Sequence, residues 1–176
     1  ARGIRVAIAD HDPQRSSLDW LKSRPEACVP IDGVAAFCGD SAADTVELLV
    51  HDMPAGIDAD TLVAAALGHQ LLIPILASPT DIKAGFRFLM ALSRAGGADR
   101  GSIRIGMVAN RIKVRTHYFK VLEAFLNKLD MPLVGIIRDT QNYIRAMDAG
   151  ISIFDLPAHR VSRDIEQWSD IVGWLD

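Results

Sequence analysis

Cysteine is nearly absent: Cys28 and Cys38 are the only two in 176 residues. They lack the paired spacing and histidine partners of a zinc site, and so few thiols exclude a disulfide scaffold, so a reduced, cytoplasmic protein is the simpler reading. No apolar run reaches the ~20 residues that span a bilayer, and residues 1–30 carry no secretory pattern. There is no internal repeat, low-complexity tract or linker. An excess of positive charge is missing too, because the net charge of −3 does not suit a surface that coats nucleic acid throughout. What is present is globular composition, 49% hydrophobic and 23% charged. At ~150 residues per domain the length predicts a single domain over residues 1–176.

Hydrophobic periodicity alternates between two kinds of segment. Short apolar runs occur at Ile4–Ala9, Leu48–Val50, Leu71–Leu76, Ile105–Ala109 and Leu133–Ile137. Such runs suit strands buried on both faces of a parallel sheet. Between them, Ser16–Ser23, Ala59–Leu67, Asp81–Arg94, His117–Leu129, Asn142–Asp148 and Val161–Trp174 read as amphipathic helices. In the last, Val161, Ile165, Trp168, Ile171, Val172 and Leu175 form one apolar stripe. Gly96-Gly97 and Asp99–Ser102 mark a surface turn. Strands alternating with helices predict an α/β fold, a three-layer sandwich around a mostly parallel sheet.

In open α/β sheets ligands gather beyond the carboxyl ends of the strands. After the first apolar run comes Asp10-His11-Asp12-Pro13, and after the second His51-Asp52-Met53-Pro54-Ala55-Gly56. After the third comes Ser78-Pro79-Thr80-Asp81, then Asn110-Arg111, then Arg138-Asp139. Carboxylates collected at one pole suit a hard cation such as Mg²⁺, which takes oxygen ligands and keeps several waters. An Asp before Pro at a strand end is also ordinary turn chemistry, its carboxylate capping backbone N–H groups. His11 and His51 read as packing residues rather than ligands. The three tryptophans, Trp20, Trp168 and Trp174, read as packing anchors.

Five segments taken in order then resemble a known family. RVAIADHDPQRSSLDWL, ELLVHDMPAGID, LLIPILASPTDIKA, MVANRIKVRTHY and IIRDTQNYIRAMDAGISIFDLP are similar to successive motifs of the ParA/MinD-type deviant Walker P-loop ATPases. DPQ and the closing RDxxxYxxAxxxG pattern favour the ParA branch. The resemblance implies a P-loop NTPase topology of SIMIBI-like type, ATP/ADP and Mg²⁺ as cofactors, and a homodimer formed around nucleotide. By the same resemblance Asp12 orients the water that attacks the γ-phosphate, Asp10 stands near Mg²⁺, and Asp52 is the Walker B carboxylate. Gly56 meets the γ-phosphate, Asn110 reads the adenine edge, and Arg111 lies beside it. The resemblance also implies cargo positioning on nucleoid DNA, with hydrolysis stimulated by a ParB-like or cargo-adaptor protein.

One departure is large. These enzymes carry a Gly-Lys-Ser/Thr phosphate loop, and the 176 residues contain no Gly-Lys-Ser or Gly-Lys-Thr. A first strand, phosphate loop and helix are therefore expected upstream of Ala1, and without them tight ATP binding and hydrolysis are not expected. The alternative is a non-enzymatic scaffold that keeps the fold without nucleotide chemistry. A biosynthetic relative such as dethiobiotin synthase would need a second-substrate pocket, for which the sequence carries no signature.

Charge is also uneven. Residues 101–145 hold eight basic and three acidic groups, a balance of +5 against −8 in the rest. Lys113, Arg115, Arg138 and Arg145 are candidate contacts to non-specific DNA; a solvated helix face or phosphate neutralisation would give the same pattern. The polar face of the last helix carries Glu166, Asp170 and Asp176, which an anionic membrane would repel, so no membrane partner is expected.

Overall fold

A computed structural model describes residues 3–67, 69–97, 103–113 and 116–176. Valine, isoleucine and leucine runs become strands β1 (Val6–Asp10), β3 (Leu48–Asp52), β4 (Gln70–Leu76), β5 (Arg104–Ile112) and β6 (Leu133–Arg138). A further strand, β2 (Asp32–Ala35), has no apolar run to announce it: its sequence is Asp-Gly-Val-Ala and only Val34 is buried. The helices are α1 (Ser16–Ser23), α2 (Ala59–Ala66), α3 (Pro79–Leu92), α4 (His117–Lys128), α5 (Gln141–Asp148), α6 (Ala158–Glu166) and α7 (Trp168–Leu175).

Local chemistry sets several helix starts. Asp58, Ser78 and Thr116 each accept an amide three residues on, at 2.9, 3.1 and 3.3 Å, which satisfies one orphan donor at the heads of α2, α3 and α4. Pro79 opens α3 at a position where no N–H is needed. The single helix expected over Val161–Trp174 is two. The break falls at Gln167, whose side-chain oxygen accepts the Arg138 amide at 3.1 Å.

The strands form two three-stranded sheets, β2-β1-β3 and β4-β5-β6, with every pairing parallel. The expected α/β class holds. The packing divides the chain into two compact units. The first comprises Ala1–Ile57 with Asn142–Pro157, the second Asp58–Gln141 with Ala158–Asp176.

In the first unit, Ala7, Ala9 and Val34 make a small core with Ala36, Ala42, Val46 and Leu49. On the opposite face, Leu18 and Leu21 of α1 lie over Gly33, where a Cβ would stand 2.9 Å from Leu18. The end of this unit is tied back by Arg24, which pairs with Asp155 at 3.1 Å.

In the second unit, Met107 and Ala109 of β5 are fully buried, as are Leu122 of α4 and Val161 of α6. Gly85 of α3 lies against Ile75 on one face of the sheet, and Ile171 of α7 lies against Gly135 on the other. A Cβ at Gly135 would overlap the Ile171 side chain, so glycine is what lets α7 approach β6. Alternating side chains thus put a helix on each face of this sheet.

Candidate functional site

Parallel pairing brings the carboxyl ends of β1 and β3 together. Asp10 and Asp52 are register partners, and the next amide, His11 N, donates to the Asp52 carbonyl at 2.9 Å. Asp10, His11, Asp12, His51 and Asp52 therefore share one rim of the first sheet.

Their burial differs sharply. Asp10 is completely buried, and its two oxygens accept the amides of Asp12 at 2.9 Å and Leu18 at 3.2 Å. It braces the bend of the chain from β1 into α1. Its place near Mg²⁺ is what the family resemblance implies.

Asp12 is half-buried. Its carboxylate accepts the Gln14 amide at 2.9 Å and its carbonyl accepts Arg15 N at 2.9 Å. That Asx-type turn carries Arg15 into the left-handed region, φ 62°, immediately before α1. The turn expected of Asp12-Pro13 is present, and it fixes the carboxylate at the rim.

Asp52 is exposed and accepts the Ser17 hydroxyl of α1 at 2.5 Å. Ser17 carries no signal in the sequence, since a serine in a first helical turn usually faces water. A carboxylate and a hydroxyl converging in this way are the oxygen donors that a hard cation takes alongside its own waters. Among the described residues no group of three or more His, Cys, Asp or Glu is arranged to hold a metal by protein ligands alone.

Gly56 lies in the loop after β3, exposed, at φ 83°. Ile57 N reaches back to Pro54 O at 3.3 Å, making a turn whose third residue needs positive φ. Arg145 is exposed on α5 of the same unit.

The second unit holds the other candidates. Asn110 sits near the end of β5, where the register with β6 shifts between Ala109 and Ile112. Its side-chain oxygen accepts the Arg111 amide at 2.9 Å, and Arg111 adopts φ 51°. Asp139 lies 3.6 Å from Arg111 Nε and 3.8 Å from Lys113 Nζ, exposed pairs of little energetic weight. Arg138 differs from the solvent-facing cation expected. Its guanidinium grips both oxygens of Asp164, which is completely buried on α6. That charge is committed inside the unit. Arg115 lies outside the described residues.

No family model matches the chain. A curated Methanocaldococcus jannaschii protein, described as an uncharacterised ATP-binding protein, is 25% identical over 126 residues, 69% of this chain. The chain spans less than half of that relative, 46% of its length. Among solved structures, the MinD cell division protein of Aquifex aeolicus superposes at TM-score 0.64 and 17% identity, covering 97% of this chain and 85% of that one. The ATP complex of a Cyanothece McdA variant superposes at 0.63 and 15%, covering 98% and 86%. Among the described residues no helix is long and apolar enough to cross a membrane. The chain has the α/β fold of these MinD and McdA structures.

Proposed function

We propose that these residues belong to a ParA-like ATPase that uses ATP binding, dimerisation and hydrolysis to position DNA or another large cargo on the nucleoid, in the cytoplasm. The reading is carried by one observation: exposed Asp52, held by Ser17, shares a sheet rim with Asp12.

Phosphoryl transfer asks little covalent chemistry of a protein; it needs positioning and neutralisation of charge. In this reading Asp52 and Ser17 hold the water shell of Mg²⁺, which when bound offsets charge on the phosphates. Asp12, fixed by the Gln14 amide, orients the attacking water. Asp10 keeps the loop in shape from beneath. Gly56 offers an amide from a turn that positive φ holds open, and Asn110 with Arg111 meets the base. The backbone cradle for the phosphates is not among these 176 residues, which lack Gly-Lys-Ser and Gly-Lys-Thr. Lys113, Arg115 and Arg145 supply the cations toward DNA, and a ParB-like or cargo-adaptor protein stimulates hydrolysis in the homodimer.

The missing motif favours a second reading, a scaffold that retains the fold without turnover. ATP binding and Mg²⁺-dependent phosphate release, measured on the whole protein that carries this chain, separate the two. Turnover supports the ATPase, and protein that neither binds nor hydrolyses ATP leaves the scaffold.

A further inference from the structure

His11 and His51 point a ring nitrogen at each other from neighbouring strand ends. His11 Nε2 lies 2.9 Å from His51 Nδ1, with ring centroids 5.1 Å apart and planes tilted by 33°. The backbone beneath them is fixed, because His51 is paired in β3 and the His11 amide is pinned to the Asp52 carbonyl. Both imidazoles reach solvent.

We infer that this pair is a binding site for a first-row transition-metal ion of the Zn²⁺, Ni²⁺ or Cu²⁺ class. An imidazole nitrogen sits about 2.0–2.1 Å from such an ion, so two nitrogens on one tetrahedral centre stand about 3.3 Å apart. The 2.9 Å contact is a hydrogen bond between the rings, so the ion displaces the shared proton and both rings turn to aim their lone pairs at one centre, opening the separation by a few tenths of an ångström. Imidazole suits these ions, whereas Mg²⁺ prefers oxygen, so the pair is chemically distinct from the Asp52–Ser17 oxygens beside it. The carboxylates of Asp12 and Asp52, each adjacent in sequence to one histidine, make the surroundings favourable to a cation. With no third protein ligand arranged there among the described residues, water completes the coordination and the ion exchanges readily.

The test is isothermal titration of Zn²⁺ alone, in the absence of nucleotide, into the whole protein and its His11→Ala, His51→Ala and His159→Ala variants. His11→Asn and His51→Asn form a second pair should either alanine variant lose its fold by circular dichroism. The expected result is one ion bound at this pair, weakened at least tenfold by either substitution at 11 or 51 and unchanged by His159→Ala. Absence of saturable binding in the parent overturns the site, as does binding that survives substitution at either histidine of the pair. Since no nucleotide enters the measurement, its failure leaves the ATPase reading standing, and failure of ATP hydrolysis leaves this site standing.

Discussion

Asp10 and Asp52 stand opposite each other in register at the ends of β1 and β3, yet one is completely buried and the other exposed. Adjacent carboxylates have divided the work. Asp10 holds backbone, while Asp52 takes a hydroxyl at 2.5 Å and faces outward.

The burial of Asp10 predicts a stability defect from its loss. Asp10→Ala strands the amides of Asp12 and Leu18, each worth about 1–3 kcal/mol when left without a partner. Urea unfolding of the variant should show a loss of about 2–4 kcal/mol. Asp52→Ala, made at an exposed position, should cost less than about 1 kcal/mol.

Arg138 and Asp164 predict a different pattern. Asp164→Ala leaves the guanidinium without its buried partner and should cost about 3–5 kcal/mol in the same assay. Replacing both, Arg138→Met with Asp164→Leu, should recover much of that loss, because neither charge is then left buried alone. Additive losses in the double variant would show that the pair is not coupled.

Acid should loosen the tie between Arg24 and Asp155. Burial pushes the Asp155 carboxyl up, but the amide and hydroxyl of Ser152 and the Arg24 guanidinium together hold it below its ordinary 3.8. A carboxylate lowered by folding stabilises fully above that ordinary value and loses its contribution as pH falls through the lowered one. Asp155→Asn should therefore destabilise at pH 7, by less than about 1 kcal/mol for a partly exposed pair. It should also flatten the decline in stability below pH about 4. A decline identical to that of the parent would remove Asp155 from the acid response.

Binding to DNA is tested at cations that the fold leaves on the surface. Lys113→Glu with Arg145→Glu should weaken retention of non-specific DNA by the whole protein. Each phosphate no longer neutralised should reduce the slope of log affinity against log salt by about 0.9. An unchanged slope would remove these residues from the interface. Arg138→Glu is the wrong probe, since it breaks the Asp164 pair.

Much of the architecture is legible in the sequence. The run Ser16–Ser23 is a helix with the expected ends, and four apolar runs lie within strands that extend one to three residues past them. Strand β2 is not legible, because Asp-Gly-Val-Ala buries one side chain and relies on β1 for its conformation. The two terminal helices read as one because a single apolar stripe runs through both α6 and α7. A further signal is present there: Asp164 stands three residues after Val161, on the buried side of α6, and a carboxylate on such a face implies a cationic partner. Ser17 offers no such signal. Its role depends on β3 delivering Asp52 to the head of α1, a long-range consequence of parallel pairing.

Hydrolysis and affinity for ATP, measured together on the whole protein carrying Asp12→Ala, bear on the water-orienting role of that carboxylate. Turnover is expected to fall by about 10²-fold or more, the scale of a lost general-base or water-positioning group, with affinity left nearly unchanged. Turnover that persists, or a fall in affinity as large as the fall in turnover, would contradict that role.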